Sequence, residues 1–128
     1  ETALPEGLVM VDKDGAERSQ VRVRWWLDEL NKRPIHEIAR APKSGLAQIP
    51  NDAMAENIEF ALKTHKPVFV GHYWLTGNPE PLSNQVVCTD YSAAIDSGYM
   101  TCYQLDTEQP LPLKASNFVQ YRHDEGPL

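Results

Sequence analysis

The chain has no apolar run approaching the ~20 residues needed to span a bilayer, and its first residues do not read as a charged-then-apolar leader. It is short of positive charge: twelve Lys and Arg against eighteen Asp and Glu leave a formal net charge of -6. No basic cluster offsets that balance, which argues against a nucleic-acid backbone or an anionic membrane as partner. Cysteine is scarce. Cys88 and Cys102 are too few for a disulfide scaffold and have no zinc-motif spacing. They could face each other across a hairpin, but two reduced, half-buried thiols suit the expected cytoplasmic location better. There is no internal repeat, no glycine-rich phosphate loop and no serine or cysteine nucleophile with a recognisable partner.

What is present fits one domain at most, since 128 residues can enclose a real core. Ten prolines imply many loops. Asp12-Lys13-Asp14-Gly15 is a turn signal, and it predicts a loose hairpin between Leu8 to Val11 and Val21 to Trp25. Arg22 and Arg24 alternate with valines, as on the solvated face of a strand. Pro34 opens a short predicted helix through Arg40 with Ile35, Ile38 and Ala39 inward. Residues 42–50 read as loop. Asn51 or Asp52 can cap a longer helix with Met54, Ile58, Ala61 and Leu62 on one face, His65 at its end and Pro67 stopping it. Three strands follow: Val68 to Val70, Val86 to Tyr91 and Tyr99 to Leu105. The last two are joined by a turn ending in Asp96-Ser97-Gly98, which favours an antiparallel hairpin. The polar tail from residue 107 to 128 reads as extended or partly disordered.

The most informative stretch is Lys66-Pro67-Val68-Phe69-Val70-Gly71-His72-Tyr73-Trp74-Leu75. An apolar run ends at Gly71-His72, as when a buried strand delivers an imidazole to a sheet rim. Neutral imidazole is the commonest transition-metal ligand among side chains. Gly71 leaves space where the backbone must turn or approach closely. Pro81-Leu82-Ser83, Val86-Val87-Cys88-Thr89-Asp90-Tyr91-Ser92 and Tyr99 to Asp106 follow in order. Together these segments resemble the C-terminal part of calcineurin-like metallophosphoesterases, closest to the bacterial branch related to serine/threonine protein phosphatases and bis-nucleosyl tetraphosphatases. The resemblance spans about a third of the chain, and more loosely the Arg22-Val23-Arg24-Trp25-Trp26 segment.

The resemblance implies that His72 binds one of two adjacent metals. Trp74 stands where many members carry a second histidine, a departure shared by the protein-phosphatase and tetraphosphatase branches. Asp90 has two readings: an acceptor orienting a metal-bound histidine, or a strand-ending aspartate that takes backbone N–H groups in the next turn. The family motifs Asp-x-His, Gly-Asp-x-x-Asp and Gly-Asn-His-Asp/Glu are missing. Gly77-Asn78-Pro79-Glu80 imitates the last, but Pro79 replaces its histidine, so it reads as a turn. With Glu1 in first place, the expectation is a processed or truncated product. It would be the rear portion of the domain (1–128), with no catalytic residues of its own, supplying His72 as metal ligand and inactive alone.

The implied fold is α+β: a mixed or antiparallel sheet with one main helix, cut from the four-layer α/β sandwich of the family. The implied cofactors are divalent manganese, iron or zinc in the parent, none binding tightly to this chain alone. The implied partners are the missing N-terminal half and a phosphorylated substrate. Cutting away that half would expose an apolar face or an unpaired strand edge, so a homodimer is expected, with Val68 to Val70, Val86 to Val87 or the Trp25-Trp26 pair in its interface. His36, His65 and His123 lack carboxylates at ligand spacing. Trp25, Trp26 and Trp74 suit either packing or stacking on a nucleobase. The competing reading is a small α+β binding or interaction module without catalysis.

Overall fold

The computed structural model describes residues 1–55, 58, 60–122 and 126–127. Contacts group the chain into two compact units, Glu1–Lys63 and Thr64–Leu128. Both are built of short strands, so the architecture is a small α+β fold with mixed sheets.

Among the described residues, the first unit holds two strand pairs, a 3-10 turn at Leu30–Lys32 and two single-turn α-helices around one apolar cluster. Strand β1 (Thr2–Ala3) pairs antiparallel with β4 (Gln20–Val21), and β2 (Met10–Val11) with β3 (Glu17–Arg18). The Asp12 turn forms as its composition predicts, with Gly15 at φ 80°. Asp12 Oδ1 accepts the N–H groups of Asp14 and Ala16 at 2.9 and 3.0 Å. The partner arm is β3, however, and not Val21 to Trp25. Residues 22–24 pair instead with 38–40: Arg24 N–H donates to Ile38 O and Arg40 N–H to Arg22 O. Arg22 and Arg24 stay exposed, as their alternation with valines requires.

Helix α1 (Ile35–Ile38) follows Pro34, and Ile35, Ile38 and Ala39 are fully buried, as expected. A second helix, α2 (Lys43–Leu46), lies within the segment read as loop. Gln48 beyond it bonds β2 like a neighbouring strand, accepting Val11 N–H at 2.9 Å and donating to Val11 O at 3.1 Å. Leu4, Met10, Val21, Ile35, Ala39 and Ile49 form the cluster between these pieces.

The main helix expected after Asn51 is not formed. Residues 53–55, 58 and 60–65 are non-helical; 56, 57 and 59 lie outside the described residues. The backbone here is used for tertiary pairing. Ile35 N–H donates to Ala53 O at 2.8 Å, and Met54 bridges Pro34 in antiparallel fashion. Met54 and Ala61 of the expected stripe are exposed, and Ile58 and Leu62 are only half-buried, so the stripe covers no core. Tertiary context overrides a modest propensity.

In the second unit β5 (Val68–Val70) runs parallel to β6 (Val86–Cys88), with Val68 opposite Val86 and Val70 opposite Cys88. The expected hairpin is present: β7 (Asp90–Tyr91) pairs antiparallel with β8 (Tyr99–Tyr103). The tail departs from expectation, because β9 (Phe118–Arg122) pairs along β8 and then with β10 (Gly126–Pro127). Its alternation explains why. Gln120 points inward and donates to Thr101 Oγ1 at 3.0 Å in a buried pair. Phe118 packs edge-on to Tyr103 at 5.1 Å and near Tyr91 at 6.4 Å between ring centroids. Val86, Val87 and Cys88 are fully enclosed, whereas Cys102 is exposed, and both cysteines keep their thiols.

Candidate functional site at the end of the parallel strand pair

Strands β5 and β6 end at the same edge, so the residues after them, Gly71-His72 and Thr89-Asp90, emerge side by side. Thr89 N–H donates to Val70 O at 3.1 Å, carrying the pairing one step past the strands. A Cβ placed on Gly71 would lie 4.0 Å from Asp90 Cβ, in ordinary contact, so this glycine is not sterically compelled.

His72 is exposed and its backbone is left-handed, at φ 64°. Trp74, also left-handed at φ 49°, sets its indole edge-on to the imidazole with 5.7 Å between centroids. Asp90 braces this loop. Its Oδ2 accepts Trp74 N–H at 3.4 Å and its Oδ1 accepts Ser92 N–H at 3.1 Å. Leu75 N–H donates to Asp90 O at 3.0 Å, and Ser92 Oγ donates to Leu75 O at 3.1 Å. Asp90 therefore takes backbone N–H groups in the following turn, the simpler of its two sequence readings.

A cavity of about 510 Å³ opens beside this loop, lined by Trp74, Asp90, Ser92, Ala93, Ala94 and Ile95. The sequence reading missed it. The available signal was an exposed isoleucine after two alanines in a turn that begins at a strand end.

Among the described residues, no group of three or more His, Cys, Asp or Glu side chains is placed to hold a metal ion. His72 offers one imidazole, and the nearby Asp90 carboxylate is committed to backbone donors. His36 serves the fold: its Nε2 lies 2.7 Å from Ile49 O. His65 is exposed in non-helical chain, so it is not the helix-end residue expected, and His123 lies outside the described residues. Trp25 and Trp26 are half-buried and meet edge-on at 5.6 Å in the first unit. Gly77-Asn78-Pro79-Glu80 is irregular chain, with Gly77 at φ 81°. No helix among the described residues is long and apolar enough to cross a membrane.

Comparison with protein-family models, with curated proteins and with solved structures yields no match.

Proposed function

We propose that this chain is the C-terminal portion of a calcineurin-like metallophosphoesterase, a cytoplasmic phosphoester hydrolase, and that it supplies His72 as one metal ligand. Its sheets would be a cut piece of the four-layer α/β sandwich. One observation supports the reading: parallel strands bring Gly71-His72 and Asp90 to one sheet edge. Ligands in open α/β sheets gather outside the carboxyl ends of parallel strands.

Among the described residues the donor set is incomplete for two metals, so the carboxylates and the general acid would come from the upstream half of the parent. When bound, manganese, iron or zinc would act as a Lewis acid on the phosphoryl oxygens. The part played by this chain is positional. His72 offers an imidazole from a loop whose backbone is fixed by Asp90 and Ser92, so little freedom remains to be lost when a ligand engages.

Two measurements test the proposal. The isolated chain, assayed with an aryl phosphate ester and excess manganese, is expected to give no turnover; chelator-sensitive turnover belonging to the chain itself would overturn the fragment reading. In the complete parent, His72→Ala is expected to lower both metal content and activity sharply, with far smaller losses of bound metal for changes at His36, His65 or His123. Near-normal metal content in the His72 variant would remove the ligand assignment.

A further inference from the structure

We infer that the cavity beside His72 receives a flat aromatic ring, carried on the leaving-group side of a phosphoester, and that Trp74 is the residue that selects it. The inference rests on the phosphoesterase reading and extends it to a substrate class.

The walls carry the chemistry. Trp74 is 71% exposed, an unusual state for an indole, and Ile95 is 53% exposed. Between them Ala93 and Ala94 contribute only methyl groups, so the apolar walls leave room for a ring to lie against the indole. The volume falls within the range of small-molecule sites, ~300–1,000 Å³. A polyol would meet few hydrogen-bond partners on such walls. A second phosphate would meet the Asp90 carboxylate. An aromatic ring meets a stacking face, and a ring N–H could reach Asp90 Oδ2, whose bond from Trp74 N–H is long at 3.4 Å.

The backbone points to the same place. Four non-glycine residues have positive φ among the described residues; two of them, Trp74 and Ser92, line this cavity, and a third, His72, packs edge-on to Trp74. Such conformations cost on the order of 1–3 kcal/mol each and persist where surrounding structure holds them. Here Asp90, Leu75 and Ser92 hold them through the bonds described above. Trp74, one wall of the cavity, also meets the His72 imidazole edge-on at 5.7 Å, so a ring stacked on the indole is brought to the same side of the loop as the imidazole assigned to the metal. Two sources share this chemistry: an aryl group bonded directly to the phosphate oxygen, and a nucleobase set off by its sugar.

The test is amide NMR of the isotopically labelled chain without metal, titrated to millimolar concentration with phenyl phosphate, adenosine monophosphate and glycerol phosphate. Either aromatic ligand is expected to shift the amides of residues 74–75 and 90–95, and the tighter of the two identifies the source of the ring. Glycerol phosphate is expected to leave them in place. Trp74→Ala should weaken the response about tenfold or more, the loss expected for one stacking partner, and Trp74→Phe should restore most of it. No response to either aromatic ligand, an equal response to glycerol phosphate, or an unchanged response in Trp74→Ala overturns the inference. Ring binding needs no metal, so adding a chelator should leave these shifts intact. A failure of the metal-ligand assignment is thereby told apart from a failure of the pocket.

Discussion

Gly98 occupies a position that a side chain cannot share. A Cβ there would lie 1.7 Å from Ser92 O, and the backbone carbonyl cannot swing aside as a flexible side chain would. Gly98→Ala is expected to lower stability by about 2–3 kcal/mol, the upper part of the ordinary range for point changes, and to disturb residues 92–95; denaturant unfolding checks the first and amide spectra the second. Asp12 makes a different prediction. The side-chain bond from Arg18 and then the Ala16 N–H hold its carboxyl below the ordinary value of 3.8. A carboxyl depressed in the fold stabilises above its ordinary value, and that contribution disappears as pH falls through the lowered folded value. The β2–β3 turn should therefore loosen only in acid below 3.8. Arg18→Ala should move the Asp12 midpoint upward in a carboxyl-resolved NMR titration. The Asp12 turn was legible from sequence because its bonds run to Asp14, Ala16 and Arg18, all close along the chain. The cavity at Trp74 was not, because it arises where residues 74 and 90–95 meet through hydrogen bonds that no local spacing encodes.

Elements differ in how far their own composition decides them. The β7–β8 hairpin and α1 were readable because a short turn or one proline sets them. The helix from Asn51 or Asp52 to the stop at Pro67 was a fair reading of periodicity, and it failed because residues 53–54 pair with 34–35. The tail failed in the opposite direction. Its polar residues conceal a strand whose inward positions are Gln120 and Phe118, and the first reads as solvent-facing unless Thr101 is known to lie opposite. Cutting the chain after Asp106 should thus remove a structural strand and abolish cooperative unfolding of Thr64–Leu128, measured by thermal melting. Retention of the melting temperature within a few degrees would return the tail to the status of an appendage. In the first unit, Ile38→Ala should cost about 2–5 kcal/mol, as for other fully enclosed aliphatic side chains.

The molecule as a whole presents apolar surface on its second unit. Phe69 is 44% exposed on β5, while Met100 and Tyr121, partners across β8 and β9, are also exposed. The free edge of a strand and uncovered apolar side chains both recruit other chains, so the homodimer expected from sequence remains a proposal, now with Phe69 as its contact on β5. Val86 and Val87 are fully enclosed and unavailable for it. Light scattering over a concentration series should give a molar mass above that of one chain, reduced by Phe69→Asp; a strict monomer would favour a self-sufficient binding module. A last consequence concerns time. The parallel pairing of β5 with β6 closes the excursion from residue 71 to 85, about twice the length of the 92–98 connection within the β7–β8 hairpin. Each doubling of a loop adds only ~0.6 kcal/mol of closure entropy, but non-local pairing is slow to nucleate. During refolding the hairpin amides should gain exchange protection first and those of Val68 and Leu75 later, so that the imidazole and indole reach their places after the hairpin has formed.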